Sequence, residues 1–177
     1  INIIELNDNI NNEISGVIEF EDGNFLYDIY SDNDGKYIVA SESDYICVYE
    51  VASNKLVYEY DTEDIAEIFS KVQFYGENHL IYCEKNEEDI SDKMHITVVD
   101  LLSGDVKSQY ELNDGRLAAM EVYENSLYVA VNQDTEVGTS LFDMVGDATM
   151  YSFDLSKNNT KNWEYTAKET YVNSIVA

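Results

Sequence analysis

The stretch Val98-Val99-Asp100-Leu101, followed by the turn Ser103-Gly104-Asp105, decides the fold because its pattern recurs along the chain. An apolar strand ends in an acidic residue, one aliphatic residue follows, and a polar turn comes next. The other copies are Ile3-Ile4-Glu5-Leu6, Val48-Tyr49-Glu50-Val51 and Ser152-Phe153-Asp154-Leu155. The acids lie 45, 50 and 54 residues apart, and self-similarity at roughly 40–50 residues is typical of a repeat protein.

Runs rich in Ile, Val, Tyr and Phe alternate with clusters of Asn, Asp, Gly and Ser, which is the pattern of β-strands joined by turns. Three units of four strands, named A to D, can be superposed. The predicted strands span residues 26–30, 36–40, 45–51 and 56–60, then 72–75, 80–84, 95–101 and 106–112, then 120–123, 127–131, 149–155 and 162–166. Four antiparallel strands joined by short hairpins form a β-propeller blade. The sequence therefore predicts an all-β propeller of four-stranded antiparallel blades, with about three full blades and partial blades at both ends.

Two stretches resemble known propeller repeats. Tyr30-Ser31-Asp32-Asn33-Asp34-Gly35-Lys36-Tyr37-Ile38-Val39-Ala40 resembles the A–B hairpin of WD40-like and YVTN-type repeats, in which a serine and Asp-Gly-Lys precede an apolar strand B. Met150-Tyr151-Ser152-Phe153-Asp154-Leu155, with Trp163-Glu164-Tyr165 after it, resembles a repeat of quinoprotein-dehydrogenase-like propellers. In those proteins an Ala-x-Asp strand, a polar turn and a tryptophan lock neighbouring blades. The resemblance is architectural and covers nearly the whole chain.

The repeat predicts one propeller segment over residues 1–177. Residues 1–22 are expected to be strands C and D of a preceding blade, 23–62, 63–114 and 115–168 the three full blades, and 169–177 strand A of a following blade. Either the remaining blades lie outside this sequence, as the absence of an initial Met predicts, or a homodimer completes the ring. Ile65, Ile68, Phe69 and Val72 have helical spacing, which predicts at most one helical turn before the second full blade.

Thirty-six acidic and ten basic side chains give a net charge of −26, which disfavours nucleic acids and direct contact with anionic membranes. No run approaches the roughly 18 apolar residues of a membrane span, and no leader pattern opens the chain. The compartment therefore stays open between the extracellular face of a bacterial envelope and the cytoplasm. Cys47 and Cys83 lie in apolar strand runs, which predicts small buried hydrophobes, with a disulfide as the alternative.

The B–C connection grows from residues 41–44 to about 85–94 and about 132–148, while the other turns stay short. Insertions on one face of a repeat protein usually mark its binding face. The third connection contains apolar residues that are typical of a contact patch, although the loop could instead pack on its own blade. The candidate partner-binding residues are Leu141, Phe142, Met144 and Val145.

The second connection is rich in carboxylates, which are ligands that Ca²⁺ accepts. The candidate ligands are Glu87, Glu88, Asp89 and Asp92. The alternative is a solvated acidic loop without a metal, because the regular spacing of a calcium loop is missing. We expect no other cofactor, and we expect His79 and His95 to lie on opposite faces rather than to form a metal or acid–base pair.

The repeated acids Glu5, Glu50, Asp100 and Asp154 recur in every unit, which indicates a structural role. We expect them to accept hydrogen bonds from the amides of the hairpin that follows. A catalytic pair of carboxylates would instead need two unlike environments in one cleft.

No catalytic motif of the common hydrolase, metalloprotease or phosphate-binding types occurs in the sequence. The sequence therefore predicts a non-catalytic binding or scaffolding module, the interaction or sensor part of a larger bacterial protein, which contacts a protein or peptide through its long B–C loops. The alternative is a fragment of a propeller enzyme of the lactonase or quinoprotein-dehydrogenase type. Gln73 and Glu121 are the polar candidates on its inner strands.

Overall fold

A computed structural model describes residues 3–8, 13–19, 26–42, 45–61, 65–86, 93–113, 115–133, 146–158 and 160–176. These residues form fourteen β-strands and no helix, so the predicted all-β class is confirmed. Within the same ranges, no helix has the length and apolar character needed to cross a membrane. The chain divides into two compact units, Ile1–Asp64 and Ile65–Ala177.

The first unit contains a two-stranded and a four-stranded antiparallel sheet. The small sheet pairs β1 (Ile3–Asp8) with β2 (Glu13–Glu19). The larger sheet, blade 1, consists of β3 (Leu26–Ser31), β4 (Tyr37–Glu42), β5 (Tyr45–Glu50) and β6 (Lys55–Asp61), in sequence order.

The second unit contains two further four-stranded antiparallel sheets. Blade 2 consists of β7 (Ile65–Tyr75), β8 (His79–Asn86), β9 (Met94–Asp100) and β10 (Val106–Leu112). Blade 3 consists of β11 (Arg116–Tyr123), β12 (Ser126–Gln133), β13 (Asp147–Asp154) and β14 (Thr160–Ala167). Every strand pairs with its neighbour in the chain, so each sheet has the A-to-D hairpin order of a propeller blade.

Turn chemistry explains why the A–B hairpin of blade 1 closes where it does. Gly35 has a φ of +67°, a left-handed conformation that glycine adopts without steric cost. Its amide donates to the carbonyl of Asp32 at 3.3 Å. The Asp32 carboxylate also accepts the amide of Tyr37 at 3.0 Å. The Asp-Gly turn predicted from the sequence therefore starts strand β4.

The helical turn predicted near residue 65 is wrong, because this segment belongs to strand β7. Ile65 pairs with Asn86 and Phe69 pairs with Cys83 across β8. The register then shifts between Phe69 and Gln73, which marks a β-bulge. Extra residues in a bulge interrupt the two-residue alternation of a strand, and this produces the apparent helical spacing in the sequence.

Blades 2 and 3 share one hydrophobic core. The strands of the two blades contribute alternate residues, as the two-residue period of a strand requires. Burying a large apolar side chain of this kind contributes about 1.5–3 kcal/mol. The members of the core are Ile81, Cys83, Met94, Ile96, Val98, Tyr110, Leu112, Leu117, Met120, Leu127, Val129, Val131, Tyr151 and Phe153.

After β14 the described chain continues through a turn at residues 168–169, and residues 170–176 form no strand. In a propeller blade, strand A is hydrogen-bonded to strand B of the same blade. No strand follows β14 in the described residues. The strand A expected over residues 169–177 therefore stays a prediction, as do the predicted domain limits.

Candidate functional site

The carboxylate of Asp154 fixes the C–D turn of blade 3. One oxygen accepts the amide of Ser156 at 3.0 Å and its hydroxyl at 2.5 Å. The other accepts the Lys157 ammonium at 2.8 Å. The hydrogen bond from Lys157, followed by that from Ser156, lowers the pKa of Asp154 from 3.8 to about 2. Asp154 is thus held as an anion that orders its own hairpin.

Asp100 occupies the same place in blade 2. Its Oδ1 accepts the amides of Leu102 at 2.9 Å and Ser103 at 3.2 Å, and Lys107 lies 3.5 Å from Oδ2. The Leu102 amide is the largest cause that lowers the pKa of Asp100, although partial burial opposes it.

In blade 1 the carboxylate of Glu50 accepts the hydroxyl of Ser53 at 2.5 Å. As in blades 2 and 3, the carboxylate of the repeated acid thus contacts the hairpin that follows it. In the β1–β2 sheet, Asp8 pairs with Glu13 directly before the connection between the strands. This is the position that the repeated acid occupies in the blades. Glu5 lies three residues earlier and faces Val17.

One face joins blade 2 to blade 3, and Tyr110 is its outermost aromatic anchor. Its ring packs against Phe153 with centroids 4.5 Å apart, and its hydroxyl donates to the carbonyl of Asp154 at 3.3 Å. Only 3% of Tyr110 is exposed. Burial raises the pKa of Tyr110, so the phenol keeps the proton that it donates.

Two further hydrogen bonds cross the same joint nearer its inner edge. The Tyr75 hydroxyl donates to Asn125 at 3.0 Å, and the Gln73 amide donates to the carbonyl of Met120 at 3.3 Å. Gln73 was the polar candidate for an enzymatic centre on strand A of blade 2. In the structure its side chain holds the inner strands of two blades together.

Strand register shows that Tyr165 is the counterpart of Tyr110 in blade 3. Tyr110 pairs with Ile96 on β9, which lies four residues before Asp100. Tyr165 pairs with Met150 on β13, which lies four residues before Asp154. Tyr110 is covered by blade 3, whereas 63% of Tyr165 is exposed. The face that carries Tyr165 therefore has the position of an inter-blade face and lies open.

We call this open surface the blade-3 outer face and define it by Tyr128, Met150, Trp163 and Tyr165. The register places Tyr128, Ser152 and Trp163 in line across three strands, and the rings of Tyr128 and Trp163 are 6.2 Å apart. Trp163, the one tryptophan of the sequence, is 43% exposed. Exposed aromatic side chains such as Trp163 and Tyr165 are typical of an interaction surface.

Asn132 fixes the chain beside the inner part of this face. Its amide nitrogen donates to the carbonyl of Val172 at 2.8 Å, and its oxygen accepts the amide of Val172 at 3.0 Å. Asn132 is 1% exposed. The Thr170 amide adds a bond of 2.9 Å to the carbonyl of Gly146. The carboxamide of Asn132 thus acts as one peptide unit of a β-bridge and holds residues 170–172 against blade 3.

The candidate partner-binding residues lie outside the described residues; they are Leu141, Phe142, Met144 and Val145. The candidate calcium ligands also lie outside them; they are Glu87, Glu88, Asp89 and Asp92. In the part of the chain that the structure describes, no group of three or more His, Cys, Asp or Glu side chains could hold a metal ion.

The histidines and cysteines form no site in the described blades. His79 faces Asp100 at one end of the β8–β9 pair, and His95 faces Glu84 at the other. Cys47 and Cys83 are both buried, as expected of small hydrophobes in a core.

Sequence reasoning missed the residues that join the blades. The signal was present, because Tyr60, Tyr110 and Tyr165 recur at intervals of 50 and 55 residues, in step with the repeated acids. Within this series, Tyr110 lies in the joint between blades 2 and 3.

No protein-family model matches the sequence, and the comparison with curated proteins also gives no match. Solved structures do resemble it. The computationally designed Ika4 protein is 13% identical, with a TM-score of 0.57 over 82% of this chain and 74% of its own. Hsv2p of Kluyveromyces lactis is 12% identical, with a TM-score of 0.58 over 92% of this chain and 44% of its own.

The Pan2 WD40 domain of Neurospora crassa is also 12% identical, with a TM-score of 0.53 over 86% of this chain and 43% of its own. At such low identity these likenesses show the fold alone, which is a WD40-like β-propeller architecture. The chain spans less than half the length of the Hsv2p and Pan2 chains.

Proposed function

We propose that this chain is a non-catalytic binding module, the interaction part of a larger bacterial protein that engages a protein or peptide through its B–C connections. One observation carries the proposal. The B–C connection grows from residues 43–44 in blade 1 to 87–93 in blade 2 and 134–146 in blade 3. The A–B connections stay short at 32–36, 76–78 and 124–125. Growth at one end of an otherwise constant repeat is typical of a binding face.

The composition supports a protein or peptide partner. Leu141, Phe142, Met144 and Val145 give the longest connection apolar and aromatic anchors, which are enriched at the centres of protein interfaces. The net charge of −26 favours partners with basic residues around such anchors, because opposite charge raises the rate of encounter.

A peptide-display experiment tests this proposal. A library of random 16-residue peptides is selected against the wild-type chain, and the selected peptides are then bound to two variants. One variant replaces residues 134–145 with two glycines, and its matched control replaces the C–D turn residues 102–104 with three glycines. The selected peptides should lose binding to the first variant and keep it to the control. Peptides that bind both variants equally would contradict the proposal.

The alternative, a fragment of a lactonase-type or quinoprotein-dehydrogenase-type enzyme, has less support. Gln73 is engaged in the joint between blades 2 and 3, which leaves Glu121 of the two inner candidates. A thermal-shift screen with Ca²⁺, quinone cofactors and sugar lactones separates the two classes. The binding-module proposal predicts an unchanged melting temperature with all three, and a large shift with a quinone or lactone would favour the enzyme.

A further inference from the structure

We propose that residues 168–172 brace both stems of the third B–C connection, and that Asn132 and Asp147 thereby act as positioning residues for partner binding. The proposal rests on the binding function proposed above and names the part of the fold that orients the binding connection. The bracing contacts join the segment directly after β14 to the two strand ends that flank residues 134–146.

The first stem is the end of β12, where Asn132 binds the segment. Its amide nitrogen donates to the carbonyl of Val172 at 2.8 Å, and its oxygen accepts the amide of Val172 at 3.0 Å. Asn132 is 1% exposed, so water competes little for these two bonds. A buried carboxamide without them would keep unpaired polar atoms, which is unfavourable. Asn132 therefore holds Val172 in one place.

The second stem is the start of β13, where Gly146 and Asp147 bind the same segment. The carbonyl of Gly146 accepts the amide of Thr170 at 2.9 Å. The carboxylate of Asp147 accepts the amide of Glu169 and the ammonium of Lys168, both at 3.2 Å. The bond from Glu169, followed by that from Lys168, lowers the pKa of Asp147. This carboxylate is therefore ionised at neutral pH and can hold both groups.

The two stems are neighbours in the sheet, so one short segment reaches both. Asn132 pairs with Ala148 and Gln133 pairs with Asp147 across β12 and β13. A connection whose ends are fixed has fewer conformations to lose when it binds a partner. The brace thus favours binding by preorganisation, and it needs no contact of its own with the partner.

Asn132→Leu and Thr149→Val form a matched pair of variants that test the brace. Leucine keeps the shape of asparagine and removes both hydrogen bonds of the carboxamide. Valine keeps the shape of threonine and removes the bond of 3.0 Å between the hydroxyls of Thr149 and Thr166, which is buried in the same blade and does not involve residues 168–172. A third variant, Asp147→Ala, removes the other end of the brace at a half-buried position if Asn132→Leu does not fold.

Two measurements on these variants separate the brace from its role in binding. Hydrogen exchange at residues 131–133 and 147–149 reports the stems. The affinity of the peptides selected against residues 134–145 reports binding. Asn132→Leu and Asp147→Ala should quicken the exchange and weaken the affinity about tenfold, the effect of about one net hydrogen bond. Thr149→Val should leave the affinity unchanged.

Each outcome decides one part of the proposal. Unchanged exchange in the stems overturns the brace, whether or not a peptide binds. Quicker exchange with unchanged affinity overturns the positioning role and leaves the proposed binding function intact. An affinity that falls equally in Thr149→Val also overturns the positioning role, because it then follows from general destabilisation. If no selected peptide depends on residues 134–145, the binding function fails and the positioning role fails with it.

Discussion

At the scale of single residues, three of the repeated acids accept hydrogen bonds from the hairpin that follows them. Glu50 accepts one from Ser53, and Asp100 and Asp154 accept them from groups of their own hairpins. The lowered pKa values of Asp100 and Asp154 follow from these bonds.

The anionic turn of blade 3 makes stability depend on pH. The pKa of Asp154 is about 2 in the folded chain against an ordinary value of 3.8. Its contribution is therefore complete above about pH 4 and is lost as the pH falls through about 2. Asp154→Asn should lower the melting temperature at pH 7, and the difference from the wild type should shrink as the pH falls from about 4 toward 2. Thermal unfolding from pH 2 to 7 measures it.

The control for this series is Asp105→Asn, which changes an exposed carboxylate in the equivalent hairpin of blade 2. Its melting temperature should follow the wild type across the whole range. A difference between wild type and Asp154→Asn that stays constant down to pH 2 would show that the carboxylate charge does not hold the turn.

The hydroxyl of Tyr110 gives a second prediction at this scale. Tyr110→Phe removes the hydrogen bond to the carbonyl of Asp154 and keeps the ring on Phe153. The free energy of unfolding should fall by about 0.5–1.5 kcal/mol, the net value of one such bond. Tyr165→Phe changes the same repeat position where it is exposed, and in dilute protein it should change the free energy little. Urea unfolding of both variants measures the contrast, and equal losses would contradict it.

At the scale of strands, the sequence was enough to predict the twelve strands of the three four-stranded blades. Asp-Gly and Asn-containing turns placed the hairpins, and alternating apolar residues placed strands such as β12 and β13. The helical spacing near Ile65 misled because a bulge between Phe69 and Gln73 breaks the alternation of β7. Pairing with β8 makes that segment a strand. A local sequence pattern does not contain this pairing.

The acid of the first hairpin shows a similar limit. Glu5 and Asp8 lie on either side of Leu6, so the local pattern could select either of them. The pairing of Asp8 with Glu13 supplies the register that a single strand does not contain. Likewise, the covered Tyr110 and the open Tyr165 cannot be told apart by sequence, because exposure depends on which blade lies beside each.

The shared core predicts that blades 2 and 3 unfold together. Ile96 is fully buried in blade 2 and belongs to the same core as Leu127 and Val129 of blade 3. Ile96→Ala should lower the free energy of unfolding by about 2–5 kcal/mol. Hydrogen exchange should then quicken in β12 as much as in β9. The control is Leu102→Ala, which changes an exposed side chain. Faster exchange confined to β9 would contradict a common core.

At the scale of the whole molecule, the net charge of −26 destabilises the compact state through self-repulsion. Salt screens charges beyond about 10 Å at 0.1 M. The melting temperature should therefore rise as sodium chloride increases from 0.05 to 0.5 M. Thermal unfolding at several salt concentrations measures it, and a melting temperature that falls with salt would contradict this expectation.

The central claim is that one inter-blade position is filled in blade 2 and open in blade 3. Hydroxyl-radical footprinting of Tyr110 and Tyr165, read by mass spectrometry in the same sample, tests it most directly. The account predicts that Tyr110 is protected, while Tyr165 reacts readily. Equal reactivity of the two tyrosines would contradict the account.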